Sequence, residues 1–294
     1  MTEKFRALRR PDGASIAYGI VRGDARRPLL ALAHGMGSNM TRWSELFAQT
    51  ALKSSWDLLR VDLRGHGDSP WRGRTGMDIW IDDLAAILDS EGYERAVVGG
   101  NCLGANFALH FAQRKPDRTR GLVLVEPIPR AAQAGALRVL RPLAPLVHLA
   151  EGAVHAANAL GIKRRRLERL DLQALDIATR VTMALQRNSQ AMTRYASPLF
   201  DLRYMTTAAY LRDLLEVWRE VPPLAALRVP ALALVSTGRQ FTDPARVQRA
   251  MAAIPRLTLK RIDALHWIPT EQPLAMREAI EQWCENLERL EPGV

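Results

Sequence analysis

The chain has 294 residues, 48% of them hydrophobic, and a formal net charge of +10 from 41 Lys and Arg against 31 Asp and Glu. That length and apolar content allow a large buried core, which excludes a disordered or fibrous chain. Two cysteines exclude a disulfide framework, and the basic balance points to anionic lipid or an acidic ligand as a partner.

No nucleic acid is expected, because no basic run is interleaved with aromatic residues in the manner of single-strand binders. Met1-Thr2-Glu3-Lys4-Phe5-Arg6 runs directly into polar, strand-like sequence, and no apolar stretch is long enough to span a bilayer. The expectation is a cytoplasmic protein without a signal peptide or transmembrane segment. Peripheral contact with an anionic membrane is compatible with the charge.

Periodicity places an opening hairpin at 4–9 and 15–21 across Pro11-Asp12-Gly13, then strands at 29–33, 57–62 and 95–99. Helices are expected at 41–52, 77–91 and 103–115, with a further buried strand at 121–125. From about 130 to 228 helical periodicity takes over, at 134–150, 151–161, 165–187 and 205–219. This middle segment carries most of the excess positive charge, densest at Lys163-Arg164-Arg165-Arg166. Strands at 231–236 and 257–262 follow, each with a helix behind it. Alternating strands and helices imply an α/β protein with a mostly parallel eight-stranded sheet covered on both faces.

The richest stretch is Gly99-Gly100-Asn101-Cys102-Leu103-Gly104, where an apolar run ends and a helix begins. A nucleophile at the apex of so tight a strand-to-helix turn sits in a strained backbone. Its neighbours two residues away must then be small, which Gly100 and Gly104 are. A thiolate there also gains from the positive end of the helix dipole. Upstream, His34-Gly35-Met36-Gly37 follows an apolar strand, and Asp62-Leu63-Arg64-Gly65-His66-Gly67-Asp68-Ser69 follows the next. Near the C-terminus, Asp263-Ala264-Leu265-His266-Trp267-Ile268-Pro269 follows the last strand.

In this order the motifs resemble those of the α/β-hydrolase superfamily, as a cap-bearing, esterase- or thioesterase-like member with cysteine in place of serine. The resemblance covers the chain except its middle. It implies a core at 1–129 and 229–294 and a helical cap at 130–228. By the same match Cys102 is the nucleophile, His266 the general base, and the amides of Met36 and Leu103 the oxyanion donors.

The acid that orients the imidazole is less plainly marked. Most relatives carry an Asp three residues after the glycine that ends the strand at 231–236, but three beyond Gly238 stands Phe241. Asp243 is one substitute. Glu126 is the better one, at the end of an apolar strand where an unpaired carboxylate would be costly. Some haloalkane dehalogenases place a Glu there.

A thiolate forms a thioester with an acyl donor, so acyl transfer is the expected chemistry, without metal or cofactor. The substrate class is a small acyl compound, hydrolysed as an ester, lactone or thioester. An acyltransferase or cyclase working on carrier-protein- or CoA-bound acyl chains is the alternative, and a non-catalytic ligand binder a third. Cys284, on one face of the last helix with Ile280, Trp283 and Leu287, is expected in the core. His34 and His66 are expected to bond the backbone of their own loops.

Overall fold

A computed structural model describes residues 2–163, 166–186 and 190–290. Eight strands form one sheet: β1 (Lys4–Arg9), β2 (Ser15–Val21), β3 (Leu29–Ala33), β4 (Asp57–Val61), β5 (Ala96–Asn101), β6 (Thr119–Val125), β7 (Ala231–Ser236) and β8 (Leu257–Ile262). Their order is β1-β2-β4-β3-β5-β6-β7-β8, parallel from β4 to β8, with β1 and β2 joined antiparallel at one edge. Every residue of β3, β6 and β7 is buried, and their apolar runs at 29–33, 122–125 and 231–235 are what a strand covered on both faces demands.

Helices α1 (Ser44–Gln49), α2 (Met77–Glu91) and α3 (Leu103–Arg114) flank the first six strands. Between β6 and β7 lie α4 (Gly135–Leu140), α5 (Ala144–Ala159), α6 (Leu172–Gln186), α7 (Pro198–Asp201) and α8 (Thr207–Trp218). After β7 come α9 (Pro244–Met251), α10 (Ile268–Glu271) and α11 (Pro273–Leu290). Trp80, Phe107 and Phe111 pack one face of the sheet with Val247 and Met251. Trp43, Phe47, Trp283 and Cys284 pack the other. The chain thus has the α/β-hydrolase architecture, with the carboxyl ends of β5, β6 and β7 opening toward the inserted helices.

Three expected helices differ in detail. The segment at 41–52 is a 3-10 turn, α1 and a second 3-10 turn, because Thr50 turns extended and its hydroxyl caps the next turn. The break expected near 150 falls instead at Arg141–Leu143, where Pro142 interrupts the ladder and a 3-10 turn joins α4 to α5. The helix expected from 165 begins at Leu172, after an irregular stretch whose Asn39 and Thr41 contacts hold it to the sheet side. Arg164 and Arg165 of the basic run, and Arg187, lie outside the described residues.

Two buried ion pairs fasten the insertion to the sheet. Arg42 Nη1 lies 2.5 Å from Asp176 Oδ2, and His66 Nε2 lies 2.9 Å from Asp213 Oδ2.

Candidate active site

Cys102 stands between the end of β5 and the first residue of α3, with φ 57 and ψ −115. Cys102 and Glu126 (φ 53) are the non-glycine residues at positive φ among those described. Such backbone is costly for a side chain and persists where the surroundings enforce it. Gly100 and Gly104 show the enforcement. A Cβ on Gly100 would come within 2.5 Å of Gly104 backbone, and one on Gly104 within 2.5 Å of Ala33 O. The turn is packed so tightly that only glycine fits on either side of the cysteine.

His266 follows β8 and is buried. Its Nδ1 donates to Glu126 Oε2 at 2.9 Å, and its other side makes a hydrogen bond with Cys102. Burial pulls the imidazole pKa down, but the hydrogen bonds to Cys102 and Glu126 outweigh it and push the value up to about 10. Glu126 also accepts from the Ser236 amide and, at 3.0 Å, from Ser236 Oγ. Asp243 is turned to another task. Its Oδ1 accepts from the amides of Ala245 and Arg246 at 3.0 and 3.2 Å, capping α9, and the Arg246 amide foremost holds its carboxyl below the usual range. The place beside the imidazole belongs to Phe241, whose ring meets that of His266 edge-on at 4.9 Å.

The amides of Met36 and Leu103 donate to no protein acceptor among the described residues. Unpaired donors beside a nucleophile are the condition for holding a developing oxyanion. The next amide, of Gly37, points to Asp213 Oδ2 at 3.4 Å.

A cavity of about 190 Å³ joins Met36 and Cys102 to His266, walled by Leu137, Leu140, Tyr195 and Trp218. Its predominantly apolar wall suits an acyl chain of modest size.

Sequence reasoning missed several residues here. Glu271 receives the amides of Leu265, His266 and Trp267, so one carboxylate gathers the histidine loop. Asp201 packs over Gly37, and burial, reinforced by the Asp213 charge, pushes its carboxyl up to about 8. His66 bonds Leu63 O as expected of its loop, yet its Nε2 reaches Asp213, 147 residues away. His34 bonds Gly35 O and accepts from the Leu63 amide, and burial holds its pKa well below the ordinary value. The signal for Glu271 was present, five residues after the histidine. None marked Asp201 or Asp213.

The family described as alpha/beta hydrolase fold matches residues 28–273. Over 267 residues the chain is 22% identical to an sn-1-specific diacylglycerol lipase of Mus musculus, covering 90% of this chain and 83% of the relative. Over 103 residues it is 34% identical to a pimeloyl-acyl-carrier-protein methyl ester esterase of Neisseria meningitidis, covering 35% and 38%. A crystal structure of a hydrolase from Pseudomonas aeruginosa PA01 superposes with a TM-score of 0.67 at 26% identity, covering 95% of this chain and 98% of that one.

Proposed function

Because this chain belongs to the alpha/beta hydrolase fold family, we propose that it is an acyl-transfer enzyme, a hydrolase of an ester, lactone or thioester, with Cys102, His266 and Glu126 as its triad. The observation that carries the reading is the unbroken hydrogen-bond chain from Cys102 through His266 to Glu126, set beside two unpaired amides. Residues 130–228 act as a cap that roofs the cavity, on a core of 1–129 and 229–294.

In the first half-reaction Cys102 Sγ, its proton held on His266, attacks the acyl carbon, and the carbonyl oxygen takes up negative charge toward the Met36 and Leu103 amides. As the tetrahedral species collapses, the bond to the leaving oxygen or sulfur breaks. His266 gives that atom its proton, and a thioester remains on Cys102. In the second half-reaction His266 takes a proton from water as the water oxygen attacks the thioester. Collapse releases the acid and restores the cysteine. Glu126 keeps the Nδ1 proton in place and stabilises the imidazolium throughout. A sulfur nucleophile sets this chemistry apart from dehalogenation, in which an aspartate carboxylate displaces halide and water then attacks the carbonyl carbon of the resulting ester.

Likeness to the pimeloyl-acyl-carrier-protein methyl ester esterase favours a second reading of the acyl donor, as a carrier-bound chain. The diacylglycerol lipase likeness, over most of the chain, favours a free lipid ester.

The test is intact-protein mass after brief incubation with a panel of acyl esters, lactones and thioesters. A mass gain equal to the acyl group, located on Cys102 and absent from Cys102→Ala, is expected for the true donor class. Turnover by Cys102→Ala at the wild-type rate would overturn the assignment of the nucleophile.

A further inference from the structure

The solvent side of α4 and α5 is built inside out. Along Gly135–Leu140 and Ala144–Ala159, Val139 is 74% exposed, Leu146 62% and Leu149 73%, with Leu143 exposed between them. Leu160 and Ile162 extend the exposed row beyond the helix end. The acidic side chain of this stretch, Glu151, faces the other way. It is buried against α8, where Arg212 binds it through Nε and Nη2 at 2.9 and 2.6 Å. A helix bathed in water places its leucines inward and its charges outward. Here the carboxylate is inside and the leucines are outside.

The charges that remain on this face share one sign. Between residues 130 and 163 the sequence holds Arg130, Arg138, Arg141 and Lys163 against Glu151 alone. Arg138, Arg141 and Lys163 have no acidic partner among the described residues. Arg130 lies 3.8 Å from Glu220. Contiguous exposed apolar surface on a soluble domain marks an interaction site. An apolar helix face with basic residues on its flanks fits the boundary between acyl chains and anionic headgroups. No helix among the described residues is long and apolar enough to cross a membrane, so the fit is to the surface.

We propose that the α4–α5 face docks this protein on an anionic phospholipid bilayer, with Val139, Leu143, Leu146 and Leu149 entering the headgroup boundary. A second copy of the chain is a poor occupant, since it would bring the same positive charges face to face. An acidic protein is also poorly matched, because the centre of the face offers bare leucine and alanine rather than cations to pair. The face is continuous with the catalytic cavity, since Leu137 and Leu140 of α4 line that cavity while Val139 between them points out. Docking therefore sets the cavity wall against the lipid, a route for an apolar acyl substrate that need not cross water.

Co-sedimentation of the full chain with vesicles of phosphatidylcholine, and of phosphatidylcholine mixed with phosphatidylglycerol, tests the proposal. Binding to the anionic vesicles is expected to be at least about tenfold tighter, and to weaken as salt is raised. The exposed double variant Leu146→Asp/Leu149→Asp should lose at least about a hundredfold in vesicle affinity, because two apolar anchors become anions. Its hydrolysis of a water-soluble short-chain ester should not change. Arg138→Gln/Arg141→Gln should lose the preference for anionic lipid and keep its fold. Cys102→Ser should bind vesicles as the wild type does, so a failure of docking is told apart from a failure of the catalytic reading. Equal binding to both vesicle types, binding to neither, or wild-type affinity in the leucine double variant would overturn the proposal. So would dimerisation in solution that this variant abolishes.

Discussion

Replacing Glu126 by Gln removes one charge and, more damagingly, one kind of hydrogen-bond partner. The carboxylate accepts three donors: His266 Nδ1–H, the Ser236 amide and Ser236 Oγ–H. A glutamine side chain has one oxygen and an amide nitrogen that only donates. The Ser236 N–H is fixed in the backbone, so the oxygen of the new side chain must serve it and the NH₂ group must face His266. Two donors then oppose each other, and the imidazolium that holds the thiol proton loses its acceptor at Nδ1. In a serine triad the same acid-to-amide exchange lowers kcat by roughly 10⁴-fold, or about 5.5 kcal/mol of transition-state stabilisation. The expected loss in kcat here is about 10³- to 10⁴-fold, read by single-turnover acylation with the ester identified from its mass adduct. The alkaline limb of the pH–rate profile should also move down, because Glu126 is one of the two groups that hold the His266 proton up to about pH 10. Asp243→Asn should leave turnover within about twofold, since asparagine caps a helix as well as aspartate does. A crippled Asp243→Asn beside a healthy Glu126→Gln would refute the assignment of the acid.

Iodoacetamide should alkylate Cys102 first and abolish turnover, whereas Cys284, on the inward face of α11, is fully buried with its thiol pKa pushed up, chiefly by burial. Peptide mapping that finds equal labelling of the two would contradict the difference in environment. Asp201→Asn should raise thermal stability near neutral and mildly alkaline pH. The folded carboxyl, pushed up from its ordinary 3.8 to about 8, keeps a proton that the unfolded chain releases. Wild-type stability therefore falls as pH rises between those two values and is level above them, by an amount on the order of a few kcal/mol. The advantage of Asn in Tm should be largest near about pH 8 and should vanish toward about pH 4. A variant less stable than wild type at the alkaline end would show that the carboxylate has a partner in the folded state.

The strands were legible because a buried parallel strand must be apolar throughout, and Leu29–Ala33 or Ala231–Ser236 admits no other reading. The elbow was legible because its demand is steric and local, met by Gly100 and Gly104 within five residues. The helix breaks were harder to place. Pro142 marks one clearly, but Thr50 turns extended for reasons that include its hydroxyl bonding Glu281, 231 residues on. Ser236, Asp201, Asp213 and Arg42 left no trace in the sequence for a similar reason. Arg42 joins Asp176 and Thr270 at separations of 134 and 228 residues, and no short window contains such a network.

The proposed placement of the acid at Glu126 has a mechanical consequence. Cys102 N donates to Val125 O at 2.9 Å, so the cysteine is bonded to the residue just before Glu126. Glu126 in turn sends its own amide to Leu234 O at 2.8 Å, and its carboxylate meets Ser236 two residues further along β7. The proposed nucleophile and acid are therefore fixed at the ends of three adjacent hydrogen-bonded buried strands, where local opening is least frequent. His266 alone arrives on a loop. That loop is gathered by the carboxylate of Glu271 and flanked by the rings of Phe241 and Trp267. An acid on the loop after β7 would leave two members of the relay on loops, each free to drift by the ångström that such chemistry does not tolerate. With the proposed acid directly after β6, Phe241 is left to pack against the imidazole. The aromatic at that position and the glutamate 115 residues before it are two halves of one arrangement.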